Sequence, residues 1–200
     1  MKKVVYAASS SAYGETPTLP KVETMSPSPM SPYAVTKLAA EHYCAVYSSV
    51  YGLPTTSLRY FNVYGPRQDP TSQYAAVVPN FITAAIQGKS PVIHGDGEQS
   101  RDFTFVADVV QANLRAAVSS QADGIVINVG AGERTTVNEL ATTIIKLVGA
   151  KVEPEHHDSR TGDVRHSLAD ISKARALMGY RPQYSLMQGM RKTVRVFSEE

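Results

Sequence analysis

Tyr33 and Lys37 stand four residues apart in the segment MSPYAVTKLAAEHY. If this segment is helical, the phenol and the ammonium project from the same face. An ammonium near a phenol favours the phenolate, which can take a proton from a secondary alcohol while a hydride leaves the same carbon. The pair therefore indicates a nicotinamide-dependent alcohol oxidation. The alternative is that both side chains belong to the solvated face of an amphipathic helix.

A cluster of serines favours the catalytic interpretation. Ser9, Ser10 and Ser11 come at the end of VVYAAS, an apolar run typical of a buried strand. Doubly wound sheets place their sites at the carboxyl ends of such strands. A hydroxyl at this edge could bind the reacting oxygen and pass a proton between that oxygen and Tyr33.

The surrounding pattern alternates strands and helices. The segment from Tyr33 to Tyr51 predicts a helix, with Ser31 as its N-cap, Pro32 at its first position and Gly52 at its end. Further strands are predicted in TTSLRY, in two extended pieces of PVIHGDGEQSRDFTFV and in GIVINVG. Further helices are predicted over residues 76–87, in ADVVQANLRAAVSS, in TVNELATTIIKLVG, which has a capping box, and in SLADISKARALMGY. This alternation predicts an α/β fold with a parallel sheet.

Composition excludes several functional classes. The chain has 200 residues, of which 42% are hydrophobic and 19% charged, as in a globular protein. Its net charge of +2 gives no reason to expect nucleic acid or a membrane as a partner. The single cysteine, Cys44, excludes an internal disulfide and is more typical of a small buried side chain than of a nucleophile. Without a secretory or membrane-spanning apolar run, we expect a cytoplasmic protein.

Seven motifs in order resemble the UDP-hexose 4-epimerases of the extended short-chain dehydrogenase/reductase family. They are SSSAYGE, SPYAVTK, LRYFNVYGPRQDP, HGDGEQSRDF, VINVGAGERTTVNEL, GDVRHSLADISKA and LMGYRP. The likeness is greatest to the type that interconverts UDP-N-acetylglucosamine and UDP-N-acetylgalactosamine. It implies NAD as cofactor, a transient 4-keto sugar, and a homodimer for the full-length form. UDP-glucose and UDP-galactose are further candidate substrates.

The resemblance also implies catalytic roles. Ser9, four residues before the tyrosine of the YG motif, would be the catalytic serine, supported by Ser10 and Ser11 as substrate contacts. Tyr33 would remove the proton of the 4-hydroxyl group. Lys37 would assist Tyr33 and, with it, contact the cofactor.

Other positions would hold the cofactor and the nucleotide. Tyr60 would lie against the nicotinamide, and Asn62 would bind the phosphate or the sugar. Arg101 and Arg160 would bind the diphosphate, because guanidinium groups pair with phosphate oxygens in a bidentate way. Asp163 would accept a ribose hydroxyl.

The rest of the implied substrate site surrounds the uridine and the sugar. Val92 and His94 would line the uridine pocket, with Ala76 and Val77 at its approach. Ser167 occupies the position where a bulky residue would exclude a 2-acetamido group, so a serine should admit acetylated sugars. No metal is expected, because the other histidines lack metal-ligand partners.

The resemblance implies a partial Rossmann-like, doubly wound sheet, its C-terminal half, plus a small α/β substrate-binding lobe. The chain has no Gly-x-x-Gly-x-x-Gly turn for the NAD pyrophosphate, so we expect the N-terminal NAD-binding half to be missing. The predicted units are the latter part of the NAD-binding domain with the catalytic residues (1–65), a sugar-nucleotide segment (66–105), a returning helix and strand (106–135), and the C-terminal lobe (136–200).

Two alternatives remain open. The chain could be a catalytically inactive UDP-sugar-binding remnant. Such a remnant would bind the UDP-sugar but not NAD, whereas an epimerase would bind both. It could also be another nucleotide-sugar enzyme of the extended family, a decarboxylase or dehydratase. The serine triplet and the GDVRHS motif favour epimerisation over this second alternative.

Overall fold

A computed structural model describes residues 1–69, 77–159 and 164–199 of the chain. The predicted site residues Ala76, Arg160 and Asp163 lie outside the described residues. The strands are β1 (Val4–Ser9), β2 (Thr55–Tyr60), β3 (Val63–Tyr64), β4 (Val92–His94), β5 (Ser100–Arg101), β6 (Thr104–Phe105), β7 (Ile125–Val129), β8 (Thr135–Thr136) and β9 (Glu155–His157). The α-helices are α1 (Pro32–Tyr51), α2 (Val77–Ile86), α3 (Val106–Val118), α4 (Val137–Val148), α5 (Ser172–Met178) and α6 (Leu186–Glu199).

The central sheet is parallel and has the strand order β1-β2-β7. Its register pairs Ser9 with Tyr60, and Tyr60 with Val129, so these residues lie side by side at the carboxyl edge. The core of this unit includes Leu58 and Ile127 and continues into α3 and α5. The predicted α/β fold is therefore confirmed, and the sheet brings the ends of β1 and β2 to one place.

Helix α1 begins and ends where its capping residues predict. The Ser31 hydroxyl accepts a hydrogen bond from the Ala34 amide at 3.2 Å, and Pro32 occupies the first turn. Gly52 ends the helix in the left-handed conformation, with a φ of 64°. Tyr33 and Lys37 consequently lie in the first two turns of α1, close to the carboxyl edge of the sheet.

A second core joins α2, α4 and α6. Phe81, Leu140 and Met190 are among its buried side chains. The predicted capping box of α4 is confirmed, since the Thr136 side chain accepts from the Glu139 amide and the Glu139 carboxylate accepts from the Thr136 amide. Short strand pairs, β3 with β6 and β5 with β8, carry residues of the candidate site.

Three elements differ from the sequence predictions. Helix α5 begins at Ser172 rather than at Ser167, because Ala169 forms a β-bridge with Lys21 and the Asp170 amide donates to the Lys21 carbonyl. The segment PVIHGDGEQSRDFTFV forms three short strands instead of two. Helix α6 was not predicted. In the part of the chain that the structure describes, no helix is long and apolar enough to cross a membrane.

Candidate functional site

Tyr33 and Lys37 face a cleft beside the carboxyl end of β1. The Lys37 Nζ lies 5.8 Å from the centroid of the Tyr33 ring. The same Nζ donates a hydrogen bond to the Ala7 carbonyl at 2.9 Å, which ties the first turns of α1 to β1. We call this space the catalytic cleft; its walls are formed by Ala7, Ala8, Ser9, Ser10, Ser11, Tyr33, Lys37, Tyr60, Asn62 and Val63. The structure therefore brings the predicted serine, tyrosine and lysine together.

The serines turn into a short 3-10 helix immediately after β1. The Ser9 Oγ accepts a hydrogen bond from the Ser11 hydroxyl at 2.8 Å and from the Ser11 amide at 3.2 Å. Both of these bonds use the oxygen of Ser9 as the acceptor, so its hydroxyl hydrogen can point elsewhere. Ser9 can thus donate to a group bound in the catalytic cleft.

Tyr60 lines the catalytic cleft. Its hydroxyl donates to the Asn113 Oδ1 at 2.9 Å, which fixes the ring against α3. Burial raises the pKa of the Tyr60 phenol, although the hydrogen bond to Asn113 opposes this change. Tyr60 therefore presents the surface of its ring rather than a titrating group, as expected of a residue that lies against a flat heterocycle.

Two further clefts adjoin the catalytic cleft. The lobe cleft lies against the second core, and it contains Val77, Val92, His94 and Arg101. The lysine cleft contains Ser10, Ser11, Lys21, Arg101 and Ser167. Asn62 lines all three clefts. Every predicted site residue that the structure describes therefore borders at least one of these three clefts.

Arg101 lies on β5, at the boundary of the lobe and lysine clefts. Its Nη1 donates to the Ser100 carbonyl at 3.0 Å and to the Arg165 carbonyl at 3.2 Å. Arg165 in turn forms two hydrogen bonds of 2.8 Å to Asp96, and these bonds lower the pKa of that carboxyl to about 2. Segment 165–167 is thereby fastened beside β5, with one edge of the Arg101 guanidinium oriented by backbone carbonyls.

Val77, Val92 and His94 line the far end of the lobe cleft. The His94 Nδ1 is 3.1 Å from the Asp158 carbonyl, and its ring meets the His157 ring edge-on at a centroid distance of 6.1 Å. Among residues 1–69, 77–159 and 164–199, no group of three histidine, cysteine or acidic side chains is placed to hold a metal ion.

Asp102 connects segments around the site through hydrogen bonds, and the sequence did not indicate it. Its carboxylate accepts hydrogen bonds from the backbone amides of Ala131 at 2.7 Å, Gly132 at 3.0 Å and Ala169 at 3.1 Å. Burial raises the pKa of Asp102 to about 6 despite these three donors. The residue next to Arg101 thus joins the loop after β7 to the segment that carries Ser167.

Lys21 is a second residue of the clefts that the sequence did not indicate. It lies in the loop between β1 and α1 and is only 2% exposed, yet it lines the lysine cleft. Its local sequence, TLPKVE, is that of an ordinary polar loop. Only the long-range pairing of this loop with residues 168–170 turns the side chain inward.

Comparison with known proteins gives consistent results. Residues 1–130 match the NAD dependent epimerase/dehydratase family. A UDP-glucose 4-epimerase of Mycolicibacterium smegmatis is 43% identical over 198 residues, which are 98% of this chain and 63% of that protein. The chain therefore spans somewhat less than two thirds of the length of this relative.

Two solved structures are similar throughout the chain. One is a UDP-N-acetylglucosamine 4-epimerase from Methanobrevibacter ruminantium in complex with UDP-N-acetylmuramic acid, with 43% identity and a TM-score of 0.94 over 98% of this chain and 63% of that one. The other is a UDP-glucose 4-epimerase from Thermotoga maritima with UDP-glucose, with 41% identity and a TM-score of 0.95 over 100% of this chain and 64% of that one.

Proposed function

Since the chain belongs to the NAD dependent epimerase/dehydratase family, as its motifs predicted, we propose that it carries the catalytic and sugar-nucleotide sites of a UDP-sugar 4-epimerase. The proposed reaction interconverts UDP-N-acetylglucosamine and UDP-N-acetylgalactosamine through a transient 4-keto sugar, with UDP-glucose and UDP-galactose as further substrates. The similarity to a UDP-N-acetylglucosamine 4-epimerase supports this choice of substrate.

The proposed chemistry assigns a task to each residue of the catalytic cleft. Tyr33 takes the proton of the sugar 4-hydroxyl and later returns it. Ser9, whose oxygen already accepts from Ser11, donates its hydrogen to the reacting oxygen. Lys37 places a positive charge beside this phenol, with its Nζ 5.8 Å from the Tyr33 ring centroid. One side of the cleft therefore supplies both the base and a donor to the oxygen at which charge develops.

The polar groups beside Tyr60 suit a nicotinamide nucleotide. Lys37 Nζ has three donors, and one of them bonds to Ala7, so the ammonium can also donate to ribose hydroxyls. The Tyr60 ring offers a flat surface, and the Tyr60 hydroxyl already donates to Asn113. Tyr33, Lys37 and Tyr60 would accordingly hold the nicotinamide riboside. When bound, NAD supplies the hydride acceptor that makes the oxidation at C4 reversible.

The lobe cleft suits the nucleotide part of the substrate. Arg101 would bind the diphosphate, and Asn62 would contact the phosphate or sugar. Val77, Val92 and His94 would surround the uridine. In the lysine cleft, the small side chain of Ser167 leaves space for a 2-acetamido group. The observation that carries the proposal is the position of Asn62, which joins the catalytic cleft to both clefts that would hold the substrate.

We also propose that α1 forms part of a homodimer interface. One face of this helix is apolar and exposed, with Val46, Tyr47, Val50 and Tyr51 from 48% to 71% accessible. Exposed apolar patches of this kind mark interaction surfaces. Sedimentation velocity of the chain and of a variant with Tyr47→Glu and Val50→Glu tests this; a chain that stays monomeric at high concentration would contradict it.

Proton NMR of UDP-N-acetylgalactosamine, incubated with the chain and added NAD, tests the proposed function. Appearance of the signals of the gluco epimer would support the proposed function and would show that NAD acts at the catalytic cleft of this chain. Absence of conversion, when titration shows that the nucleotide sugar binds, would favour the second candidate function, a UDP-sugar-binding protein without catalysis. Absence of both binding and conversion would refute both functions.

A further inference from the structure

Lys21 is buried against the lysine cleft with most of its hydrogen-bonding capacity unused. Its Nζ donates to the Thr16 carbonyl at 2.6 Å. An amine on lysine carries up to three N–H donors. Within residues 1–69, 77–159 and 164–199, no second acceptor is recorded for this Nζ. Because one bond to Thr16 uses only one of these donors, the side chain can also donate to an acceptor that enters the cleft.

The backbone of Lys21 is fixed on both sides. Its amide donates to the Leu168 carbonyl at 2.7 Å, and its carbonyl accepts from the Asp170 amide at 2.9 Å. The Asn128 side-chain amide also donates to this carbonyl at 2.9 Å. These bonds place Lys21 directly beside the segment that carries Ser167. The backbone of Lys21 is therefore held in place, and the bond from Nζ to the Thr16 carbonyl orients the amine.

The other residues that line the lysine cleft indicate which chemical group of a ligand could bind there. Hydroxyl groups, apolar side chains, one amide and one guanidinium surround it, and no carboxylate occurs among its described lining residues. They are Ser10, Ser11, Tyr13, Gly14, Met30, Ser31, Ala34, Asn62, Arg101, Val164 and Ser167. A substituent with one carbonyl oxygen and one methyl group matches such walls, because the oxygen can accept from Lys21 and the methyl can contact Met30 or Ala34. An acetamido group has this composition.

We propose that Lys21 is a specificity-determining residue that donates a hydrogen bond to the carbonyl oxygen of a 2-acetamido group on the bound hexose. This inference rests on the proposed function of the same site. A cleft with a buried donor discriminates against an analogue that lacks the acceptor, because the donor is then left unpaired. Burial also lowers the pKa of the Lys21 ammonium, with Glu15 opposing this change, but the ammonium and the neutral amine both donate N–H groups.

Calorimetric titration with UDP-N-acetylgalactosamine, UDP-galactose and UDP tests the inference without catalysis or NAD. We expect the unaltered chain to bind the acetylated sugar at least about 10-fold more tightly than UDP-galactose, as for one hydrogen bond involving a charged group. Lys21→Met, which keeps an unbranched apolar side chain out to the ε position and removes the amine, should lose this preference. Its affinities for UDP-galactose and UDP should stay within about 2-fold.

A control variant and the pattern of losses among the ligands distinguish the proposed contact from other roles of Lys21. Lys146→Met, at an exposed position in the last turn of α4, should leave all three affinities unchanged. Equal losses for all three ligands in Lys21→Met would overturn the inference, since they indicate a diphosphate contact or a structural role. In an additional titration with UDP-glucuronic acid, a larger loss of affinity in Lys21→Met than for the acetylated sugar would also overturn the inference, in favour of a carboxylate ligand.

The unaltered chain gives a result that does not depend on the folding of the variant. If it binds UDP-galactose and UDP-N-acetylgalactosamine equally, the inference is wrong while the proposed function stands. If it binds no UDP-sugar, the proposed function fails and the inference fails with it. Circular dichroism and thermal unfolding of Lys21→Met establish whether the variant is folded.

Discussion

Glu41 on α1 and Arg59 on β2 form an ion pair buried between the helix and the sheet. The Arg59 Nε donates to the Glu41 Oε2 at 2.9 Å, and the two side chains are 3% and 4% exposed. The Arg59 guanidinium also lies 4.5 Å from the Tyr13 ring centroid, and the Tyr13 hydroxyl donates to Asn128 at 2.7 Å. This network fastens the helix that carries Tyr33 and Lys37 to the centre of the sheet.

Removal of one partner of this pair should destabilise the fold strongly. We expect Glu41→Ala to reduce the free energy of unfolding by roughly 3–5 kcal/mol, because Arg59 would remain buried without its counter-charge. Urea denaturation followed by circular dichroism measures this change. Glu153→Ala, at an exposed position, is the matched control and should change the stability by less than about 0.5 kcal/mol. Equal effects of the two substitutions would contradict the structural role of the pair.

Local signals in the sequence located some elements well and missed others. Ser31, Pro32 and Gly52 act on their own helix, so the bounds of α1 were predicted within one residue. Helix α6 has a comparable local signal, a capping box at its N-terminus, although this helix was not predicted. The Ser185 hydroxyl accepts from the Gln188 amide, and the Gln188 side chain accepts from the Ser185 amide, as in a capping box.

Contacts between distant segments explain what the sequence could not show. Asp102 binds residues 131, 132 and 169, and Lys21 pairs with the backbone of 168–170. Neither arrangement follows from local spacing. The motif-derived residues Ser9, Tyr33, Lys37 and Asn62 do border the same cleft. Their catalytic roles, and the predicted domain boundaries, stay predictions.

Loss of the Tyr33 hydroxyl should abolish turnover without affecting nucleotide binding. We expect Tyr33→Phe to lower the epimerisation rate by about 10²–10⁴-fold, the usual contribution of a general base. UDP affinity should stay within about 2-fold, because the lobe cleft does not include Tyr33. The NMR assay of epimerisation and calorimetry with UDP provide the two measurements. Tyr43→Phe, on an exposed turn of the same helix, serves as the control. Undiminished turnover in Tyr33→Phe would show that another group is the base.

Arg101 should contribute mainly to binding of the diphosphate. We expect Arg101→Ala to weaken UDP-sugar affinity by roughly 1.5–3 kcal/mol, the range for hydrogen bonds to charged groups. Calorimetry should show a similar loss for UDP and for UDP-N-acetylgalactosamine, since both carry the diphosphate. Arg191→Ala, on the exposed side of α6, should leave both affinities unchanged. An unaltered affinity in Arg101→Ala would exclude this residue from the diphosphate site.

Asp102 should make the stability of the fold depend on pH in the acidic range. Its pKa of about 6 in the folded chain exceeds the usual value of 3.8, so the folded state binds the proton more tightly than the unfolded state. The free energy of unfolding should therefore fall by roughly 2–3 kcal/mol as the pH rises from about 4 to 6, and this contribution should stay constant above that range.

The substitution Asp102→Asn isolates this contribution, because it removes the titrating group and keeps the size of the side chain. The variant should be less stable than the unaltered chain at pH 4, since its amide hydrogens oppose one of the three backbone donors. This deficit should shrink as the pH rises to 6, because the unaltered chain alone bears the cost of the buried charge. Urea denaturation of both proteins at several pH values measures the difference. A deficit that grows over this range would show that the three amides hold the pKa of Asp102 below its usual value and outweigh burial.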